Sequence, residues 1–284
     1  YIAGDESLRP SGTIYNAMMA QLKKRGDGVA AEKLLELMVD DMRDGNNGAE
    51  PNTFTFNTAL SAWANSRRRD RTDRAEELLT RMHDLHAKKG WKCQPNAVSY
   101  SCILDCWAKS GRPDAPYRAE SILDHMRKMR NTGDVMIKAT SYDWATAIGA
   151  WANSSVQEAP ERAQKLFDEM QRMYEEGDKT LRPSGPAFVS LITCWARSGR
   201  EDGPEKALRI LRLMQDRHDQ DPKNEAPNRL HYSAVINAFA LSGDAARAKK
   251  LLDEMIESGR GDPHYGCFNG VLKAIARSGA PNSI

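Results

Sequence analysis

Polar side chains that can hydrogen-bond a ligand recur along this chain at nearly constant spacing. One set directly follows an aromatic residue and comprises Asn16, Asn57, Ser101 and Ser233. A second set directly follows a proline or the residue in its place and comprises Asn52, Asn96, Thr140, Asn228 and His264. Side chains of these types can donate and accept hydrogen bonds, so they are suited to bind a ligand that presents hydrogen-bond donors and acceptors. An Asn directly before a helix can instead cap backbone N–H groups, and the sequence leaves this alternative open.

Patterns for catalysis or metal binding are weak by comparison. His83, His86 and Cys93 resemble the start of a zinc-ligand cluster, but no fourth ligand follows at a useful spacing. The sequence has no Gly-rich phosphate loop, no nucleophile elbow and no zinc-deaminase motif. We therefore expect no bound metal, no cofactor and no enzymatic activity.

The composition is that of a globular protein in which neither sign of charge dominates. Of 284 residues, 41 are Lys or Arg and 39 are Asp or Glu, which gives a formal net charge of +2. A polyanion-binding surface must therefore depend on where the charges lie. No segment approaches the roughly 18 apolar residues of a membrane span, so we expect no membrane partner. The five cysteines form no CxxC pair, which favours buried thiols in a reducing compartment.

Three series of residues repeat in phase and reveal an internal repeat of 44 residues. The aromatic series is Trp63, Trp107, Trp151, Trp195 and then Phe239. The alanine series is Ala31, Ala75, Ala119, Ala163, Ala207 and, after 41 residues, Ala248. The methionine series is Met38, Met82, Met126, Met170, Met214 and Met255. The residues that close the repeats are Pro10, Pro51, Pro95, Ala139, Pro183, Pro227 and Pro263.

Each repeat contains two amphipathic helical patterns separated by turn residues. Phe56, Leu60 and Trp63 lie on one face of the first pattern, and Ala75 and Met82 lie on one face of the second. We expect each closing proline to start the next first helix, where its missing N–H costs nothing. Because one helix pair cannot bury both apolar faces, the repeats should stack into an all-α solenoid without a β-sheet.

The expected organisation is a lead-in, six helical-hairpin repeats and an unpaired last helix. Residues 1–11 form the lead-in, residues 12–264 the six repeats and residues 265–284 the first helix of a truncated seventh repeat. The repeat boundaries are 12–52, 53–96, 97–140, 141–184, 185–228 and 229–264. The last helix has an apolar face without a partner. Either the array is cut there, or this face contacts another chain, for example in self-association.

The repeat motif resembles the pentatricopeptide repeat family over residues 12–279. It carries Tyr or Phe followed by Asn in the first helix, then Trp-Ala-x-Ser-Gly, Ala-x-x-Leu-Leu-x-x-Met and a closing Pro-Asn. The resemblance implies a right-handed α-solenoid superhelix whose concave surface is lined by first helices. The repeats here are longer than the family's usual unit. Four repeats have three extra residues in the turn between their two helices. The other extra residues follow the methionine of the repeating series, in the second helix or in the loop after it.

The resemblance also implies single-stranded RNA as the partner, with about one base read per repeat. The implied reading pairs are Asn16 with Asn52, Asn57 with Asn96, Ser101 with Thr140, Ala145 with Ser184, Val189 with Asn228, and Ser233 with His264. Asn paired with Asn implies a pyrimidine, whereas Ala145 and Val189 offer no hydrogen bond. The first two repeats are therefore the best candidate readers.

A third position in each first helix lies two residues before the aromatic residue. It carries Thr13, Phe54, Val98, Tyr142, Pro186 and Leu230. The resemblance implies that these side chains pack against base planes, which aromatic rings do well. The alternative is that they pack against the neighbouring helix as a hydrophobic staple.

Cations recur near the ends of first helices at Lys24, Lys109, Arg197 and Arg277. A row of cations one repeat apart could follow a phosphate backbone. Cations also stabilise the C-terminal end of a helix dipole, and the sequence does not separate the two roles.

The sequence thus predicts an RNA-binding protein of organellar RNA metabolism, in a mitochondrion or plastid, with no targeting peptide in this chain. The alternative is a protein-binding or structural scaffold in contact with other subunits of a ribonucleoprotein or ribosomal assembly. The near-neutral charge and the weak later reading pairs favour this alternative.

Overall fold

In the computed structural model, residues 9–131, 136–259 and 263–278 are described, and they form thirteen α-helices and no β-strand. The helices are α1 (Gly12–Arg25), α2 (Gly28–Arg43), α3 (Thr53–Ala64), α4 (Arg71–Lys89), α5 (Ala97–Ala108), α6 (Ala115–Asn131), α7 (Ser141–Ala152), α8 (Ala159–Glu175), α9 (Gly185–Arg197), α10 (Gly203–Gln220), α11 (Arg229–Ser242), α12 (Ala245–Glu257) and α13 (Tyr265–Ser278). The predicted all-α hairpin fold is confirmed.

The chain forms two compact units, divided between Ala139 and Thr140. In the first unit, the first helices α1, α3 and α5 pack side by side, and α2, α4 and α6 are their partners in the hairpins. The second unit repeats this arrangement with α7, α9, α11 and α13 as first helices and α8, α10 and α12 as second helices. Each unit is therefore a layer of first helices backed by a layer of second helices, as nearest-neighbour stacking requires.

The tryptophans of the 44-residue series are buried in the core. Trp63, Trp107, Trp151 and Trp195 each expose 2% or less of their surface. The indole Nε1 of Trp107 donates to Glu76 Oε1 at 2.8 Å, and that of Trp195 donates to Gln164 Oε1 at 3.0 Å. In both cases the acceptor lies on the second helix of the preceding repeat, so the indole joins two repeats.

The closing prolines lie two residues earlier, relative to the helix start, than the sequence analysis placed them. Pro51 precedes the N-cap Asn52 of α3, and Pro95 precedes the N-cap Asn96 of α5. The prediction that closing prolines begin the helices is therefore wrong. The physical reason is that an Asn side chain caps the free N–H groups of a helix start, a function that proline lacks. The prolines before α3, α5, α9 and α11 are buried, so they anchor the chain entry in the core.

The helix bounds place the extra residues of the long repeats. Two residues separate α1 from α2 and α11 from α12, whereas six separate α3 from α4, α5 from α6 and α7 from α8. The second insertion lengthens the second helix itself, since α4 has 19 residues and α12 has 13. Both insertions lie at the ends of hairpins, where longer connections leave the packed faces in phase.

Ion pairs connect second helices of neighbouring repeats. Arg74 contacts Glu32 at 2.6 Å and Arg118 contacts Glu76 at 3.1 Å, each pair 42 residues apart. These pairs are partly exposed, so each contributes little stability by itself. Their common spacing keeps successive second helices in register.

All five cysteines are free and buried. Burial raises the pKa of Cys106 and of Cys194 to about 12, so these thiols stay protonated and unreactive at neutral pH. Among the described residues, no helix is both long enough and apolar enough to cross a membrane.

We expect the second unit to lose stability as the pH falls below about 6.5. His231 is buried, with Nε2 3.1 Å from Gly185 O and Nδ1 3.0 Å from Asn228 Oδ1, and burial lowers its pKa below the usual 6.5. The unfolded chain therefore takes up this proton first, which favours unfolding between pH 6.5 and the lower pKa of the folded state. Thermal unfolding of wild type and His231→Gln across this range measures the effect.

His83 is the weaker case in the first unit, because its side chain is exposed, although partial burial lowers its pKa and its Nε2 lies 3.0 Å from Tyr100 Oη. Gln215 holds the equivalent position 132 residues later and donates to Tyr232 Oη at 2.8 Å, so His83→Gln is compatible with the fold. The double variant should have a flatter pH profile than either single one. An undiminished pH slope in the double variant would refute this assignment.

Candidate nucleic-acid interface

The predicted stacking positions are exposed. They lie in the first turns of the first helices, and the exposed fractions are 59% for Phe54, 53% for Val98, 56% for Tyr142 and 54% for Leu230. Thr13 and Pro186 are exposed as well. Exposure argues against the hydrophobic-staple alternative, because a staple would bury these side chains against the neighbouring helix. Each unit therefore presents a row of exposed side chains, mostly apolar, on its first helices, here named the first-helix face.

The Asn57 and Asn96 side chains contact each other although 39 residues separate them. Asn57 Nδ2 donates to Asn96 Oδ1 at 3.1 Å, and Asn57 Oδ1 accepts from Ser99 Oγ at 2.6 Å. Asn96 Oδ1 also accepts from Ser99 N at 3.3 Å, as the N-cap of α5. The acceptor oxygens of both amides are thus used within the protein. The pair can offer a ligand mainly the Nδ2–H groups of Asn96.

The Asn16 and Asn52 side chains are joined through Thr55. Thr55 Oγ1 donates to Asn16 Oδ1 at 2.9 Å, and Asn52 Oδ1 accepts from Thr55 N at 3.1 Å. Asn52 is exposed and caps α3, so its oxygen is used, while its Nδ2 group forms no hydrogen bond with another described residue. The helix-capping alternative is therefore correct for Asn52 and Asn96, and it leaves their amide N–H groups available.

Sequence reasoning missed Thr55 and Ser99, which hold these two pairs in place. Both are buried at the third helical position, and their hydroxyls lie between the reading-pair amides. Their signal was present as Asn-x-x-Thr and Asn-x-x-Ser, the spacing of a capping box.

The predicted pairs of the later repeats are less suited to a ligand. Ser101 Oγ donates to Ala97 O at 2.9 Å, and Thr140 Oγ1 donates to Asp143 Oδ2 at 2.8 Å. Ser233 Oγ donates to Arg229 O at 2.7 Å. Asn228 Oδ1 accepts from Leu230 N at 2.9 Å, and His264 Nδ1 lies 3.4 Å from Cys267 Sγ. These polar groups form hydrogen bonds within their own helices or at the N-terminal caps of those helices.

The four predicted phosphate-contacting cations are all exposed at least in part, but they differ in their partners. Lys109 contacts Asp105 Oδ2 at 3.0 Å, and Arg277 donates to Leu241 O at 3.1 Å at the end of α11. Arg277 thus has the helix-end partner named above, whereas Lys109 pairs with a carboxylate of its own helix. Lys24 and Arg197 have no side-chain bond to any other described residue.

The His83, His86 and Cys93 side chains have structural partners. His86 Nδ1 lies 2.9 Å from Trp91 O, and Cys93 Sγ donates weakly to Met82 O at 3.7 Å. Among the described residues, no group of three His, Cys, Asp or Glu side chains could hold a metal ion.

Comparison with known families accounts for the hairpin geometry. The family model described as PPR repeat matches residues 13–41 and 230–260. The model described as pentatricopeptide repeat domain matches residues 37–110. The chain contains pentatricopeptide repeats in these segments. The matched segments include the residues of the first two predicted reading pairs and most of the hairpin of α11 and α12. Among curated proteins, none shows a significant sequence match to this pentatricopeptide repeat chain.

Solved structures share the fold at low sequence identity. The crystal structure of the pentatricopeptide repeat protein PPR10 from maize matches with a TM-score of 0.56 at 20% identity, covering 98% of this chain and 34% of that chain. PPR10 in complex with an 18-nt psaJ RNA element matches with a TM-score of 0.49 at 21% identity, covering 94% of this chain and 38% of that chain. This chain therefore spans about a third of the length of the protein it matches.

Proposed function

We propose that this chain binds single-stranded RNA along the first-helix face, with about one base per repeat. The observation that supports this most strongly is the row of exposed side chains at equivalent positions of successive first helices. Phe54 and Val98 lie on adjacent helices of the first unit, and each is more than half exposed. Exposed apolar side chains cost free energy in water, and the flat face of a base covers them well.

The amides beside this row supply a basis for selectivity. The Nδ2–H groups of the exposed Asn52 and the half-buried Asn96 are donors, whereas the oxygens of these amides cap helices. A donor suits a ring carbonyl, which both pyrimidines and guanine carry and adenine lacks, and the family resemblance favours a pyrimidine for Asn paired with Asn. We therefore propose that the first two repeats prefer two adjacent pyrimidines and that the fourth and fifth repeats show little preference.

Replacing the amide of a helix-capping Asn by a hydroxyl tests base selectivity separately from thermal stability. Asn52→Ser and Asn96→Ser keep a good N-cap but remove the amide donor. The melting temperature should change little for Asn52→Ser and fall more for Asn96→Ser, which also removes the acceptor of the buried Asn57 Nδ2. Each variant should lose about 1–3 kcal/mol of preference for a pyrimidine at one position. Titrating short RNAs that differ only at two adjacent positions measures this preference.

Asn228→Ser is the matched control, because Asn228 is also an N-cap but its predicted partner Val189 cannot hydrogen-bond. This variant should leave base selectivity unchanged. If wild type binds purines as tightly as pyrimidines at the first two repeats, the reading-pair proposal fails.

A scaffold role in a ribonucleoprotein or ribosomal assembly is the second candidate. The partners of Lys109 and Arg277 favour it, because these cations are already used within the protein. An RNA binder that neutralises several phosphates must lose affinity steeply with salt, so a flat salt dependence would favour the scaffold. By family resemblance, we place either role in the RNA metabolism of a mitochondrion or plastid.

A further inference from the structure

The turn after α1 and the turn after α3 lie side by side at one end of the first unit. Asn65 Nδ2 donates to Lys23 O at 3.3 Å. A Cβ atom at Gly26 would lie 2.4 Å from Asn65 O, so the two backbones are in direct contact. Residues 23–27 and 65–70, here named the turn cluster, are 42 residues apart in the chain but adjacent in space.

The turn cluster concentrates positive charge in a chain that is otherwise slightly acidic. It contains six Lys or Arg residues and two Asp residues, a net charge of +4. The remaining residues have 35 basic and 37 acidic side chains. A concentration of this size creates a local positive potential, although the net charge of the whole chain is only +2.

One arginine of the turn cluster has a structural role that recurs along the chain. Arg68 forms two hydrogen bonds of 2.9 Å with the Asp70 carboxylate. Arg112 and Arg200 hold the equivalent positions and contact Asp73 and Glu161. The arginine at this position therefore stabilises the long inter-helix turn.

Its neighbours Arg67 and Arg69 have no such role. The residues 44 positions later are Gly111 and Pro113, and those 132 positions later are Gly199 and Glu201. The same turn thus forms without cations at these two positions. Among the long inter-helix turns, only this one has cations at the positions of Arg67 and Arg69.

Arg25, Arg67 and Arg69 are exposed and make no hydrogen bond or ion pair with any other described residue. Three unpaired guanidinium groups close together repel one another, so the fold gains nothing from them. Guanidinium groups bind phosphate oxygens in pairs of parallel hydrogen bonds. The turn cluster contains no aromatic residue, so it suits a phosphate backbone rather than stacked bases.

We propose that the turn cluster binds the backbone of single-stranded RNA outside the bases held on the first-helix face, independently of sequence. This inference rests on the proposed RNA-binding function. Asn65 lies eight residues after Asn57, which is about 12 Å along the helix direction. The phosphates at the cluster therefore belong to nucleotides that flank the read bases.

The test uses the whole chain and the variant Arg25→Gln, Arg67→Gln, Arg69→Gln. The matched control is Lys88→Gln, Lys89→Gln, Lys92→Gln, which removes the same charge at the opposite end of the α3–α4 hairpin. Lys88 and Lys92 form only exposed ion pairs, so the control should also fold. Each protein is titrated over a range of salt concentrations with a short RNA containing two adjacent pyrimidines, and with the same RNA carrying a single-stranded extension.

The extension should raise the affinity of wild type and of the control but not that of the arginine variant. The slope of log K against log salt should be about 2 units shallower for the arginine variant, because each phosphate contact on a single strand contributes about 0.7. Its melting temperature and its pyrimidine preference should match wild type.

Equal salt slopes in wild type and the arginine variant would overturn the inference, as would an equal loss in the control. An equal gain from a duplex extension would overturn the assignment to single-stranded RNA. If the short RNA binds selectively and the extension adds nothing, this inference fails while the proposed function stands. If wild type binds neither RNA, both fail.

Discussion

Truncating Trp107 to Ala should destabilise the first unit by about 3–5 kcal/mol, the range for a buried aromatic side chain. The indole is 1% exposed, donates to Glu76 on α4, and lies under the guanidinium groups of Arg112 and Arg118 at 4.8 and 5.1 Å. The substitution therefore removes contacts among three consecutive helices. Chemical denaturation monitored by circular dichroism measures the free energy of unfolding.

The damage should be local, because each repeat is stabilised mainly by its neighbours. Hydrogen exchange should accelerate most in α4, α5 and α6 and least in α1. Trp107→Phe is the control, since Phe239 holds the equivalent position in the second unit and packs beneath Arg247. It should keep most of the packing and lose only the indole hydrogen bond. A uniform loss of protection across the first unit would contradict this account.

Replacing Phe54 by Ala should weaken RNA binding by about 1–3 kcal/mol, or about 5- to 150-fold in the dissociation constant. The reason is that its ring is 59% exposed on the same helix as the predicted reader Asn57, where we expect it to stack on a base. An exposed ring contributes little to the core, so the melting temperature should stay near that of wild type. Binding is measured by fluorescence anisotropy with a short pyrimidine-containing RNA.

Leu37→Ala is the matched control for Phe54→Ala. Leu37 is 60% exposed on α2, a second helix that lies outside the first-helix face. Its loss should leave RNA affinity unchanged. Equal affinities for Phe54→Ala and wild type would remove the stacking row from the proposed function.

The helical-hairpin fold could be predicted from the sequence because it depends on local periodicity. The 44-residue spacing of Trp63, Trp107 and Trp151 places each indole at the same helical position in its repeat, and all three are buried. Each apolar face is encoded within about a dozen residues, so periodicity alone indicates which side chains must be covered. The candidate reading pairs follow from the same register.

The sequence pattern placed the closing prolines at the first helical residue, two positions after the place before the N-cap that they occupy. A proline before Asn can either start a helix or precede its cap, and both positions tolerate a missing N–H group. The choice depends on which residue satisfies the free N–H groups of the helix start. Here Asn52 and Asn96 do so, an alternative that the sequence left open and the structure decides.

Only the tertiary structure decided which candidate side chains are exposed and which segments distant in sequence lie side by side. The sequence allowed Phe54 either to pack as a staple or to face solvent, and the packing of α3 between α1 and α5 leaves it exposed. Likewise, nothing local indicates that Arg25 and Arg67 share one surface. Their helices are brought together by apolar residues elsewhere on α1 and α3. The sequence periodicity thus determines which side chains are buried. Long-range packing between repeats determines which surfaces stay exposed and which of them lie next to each other.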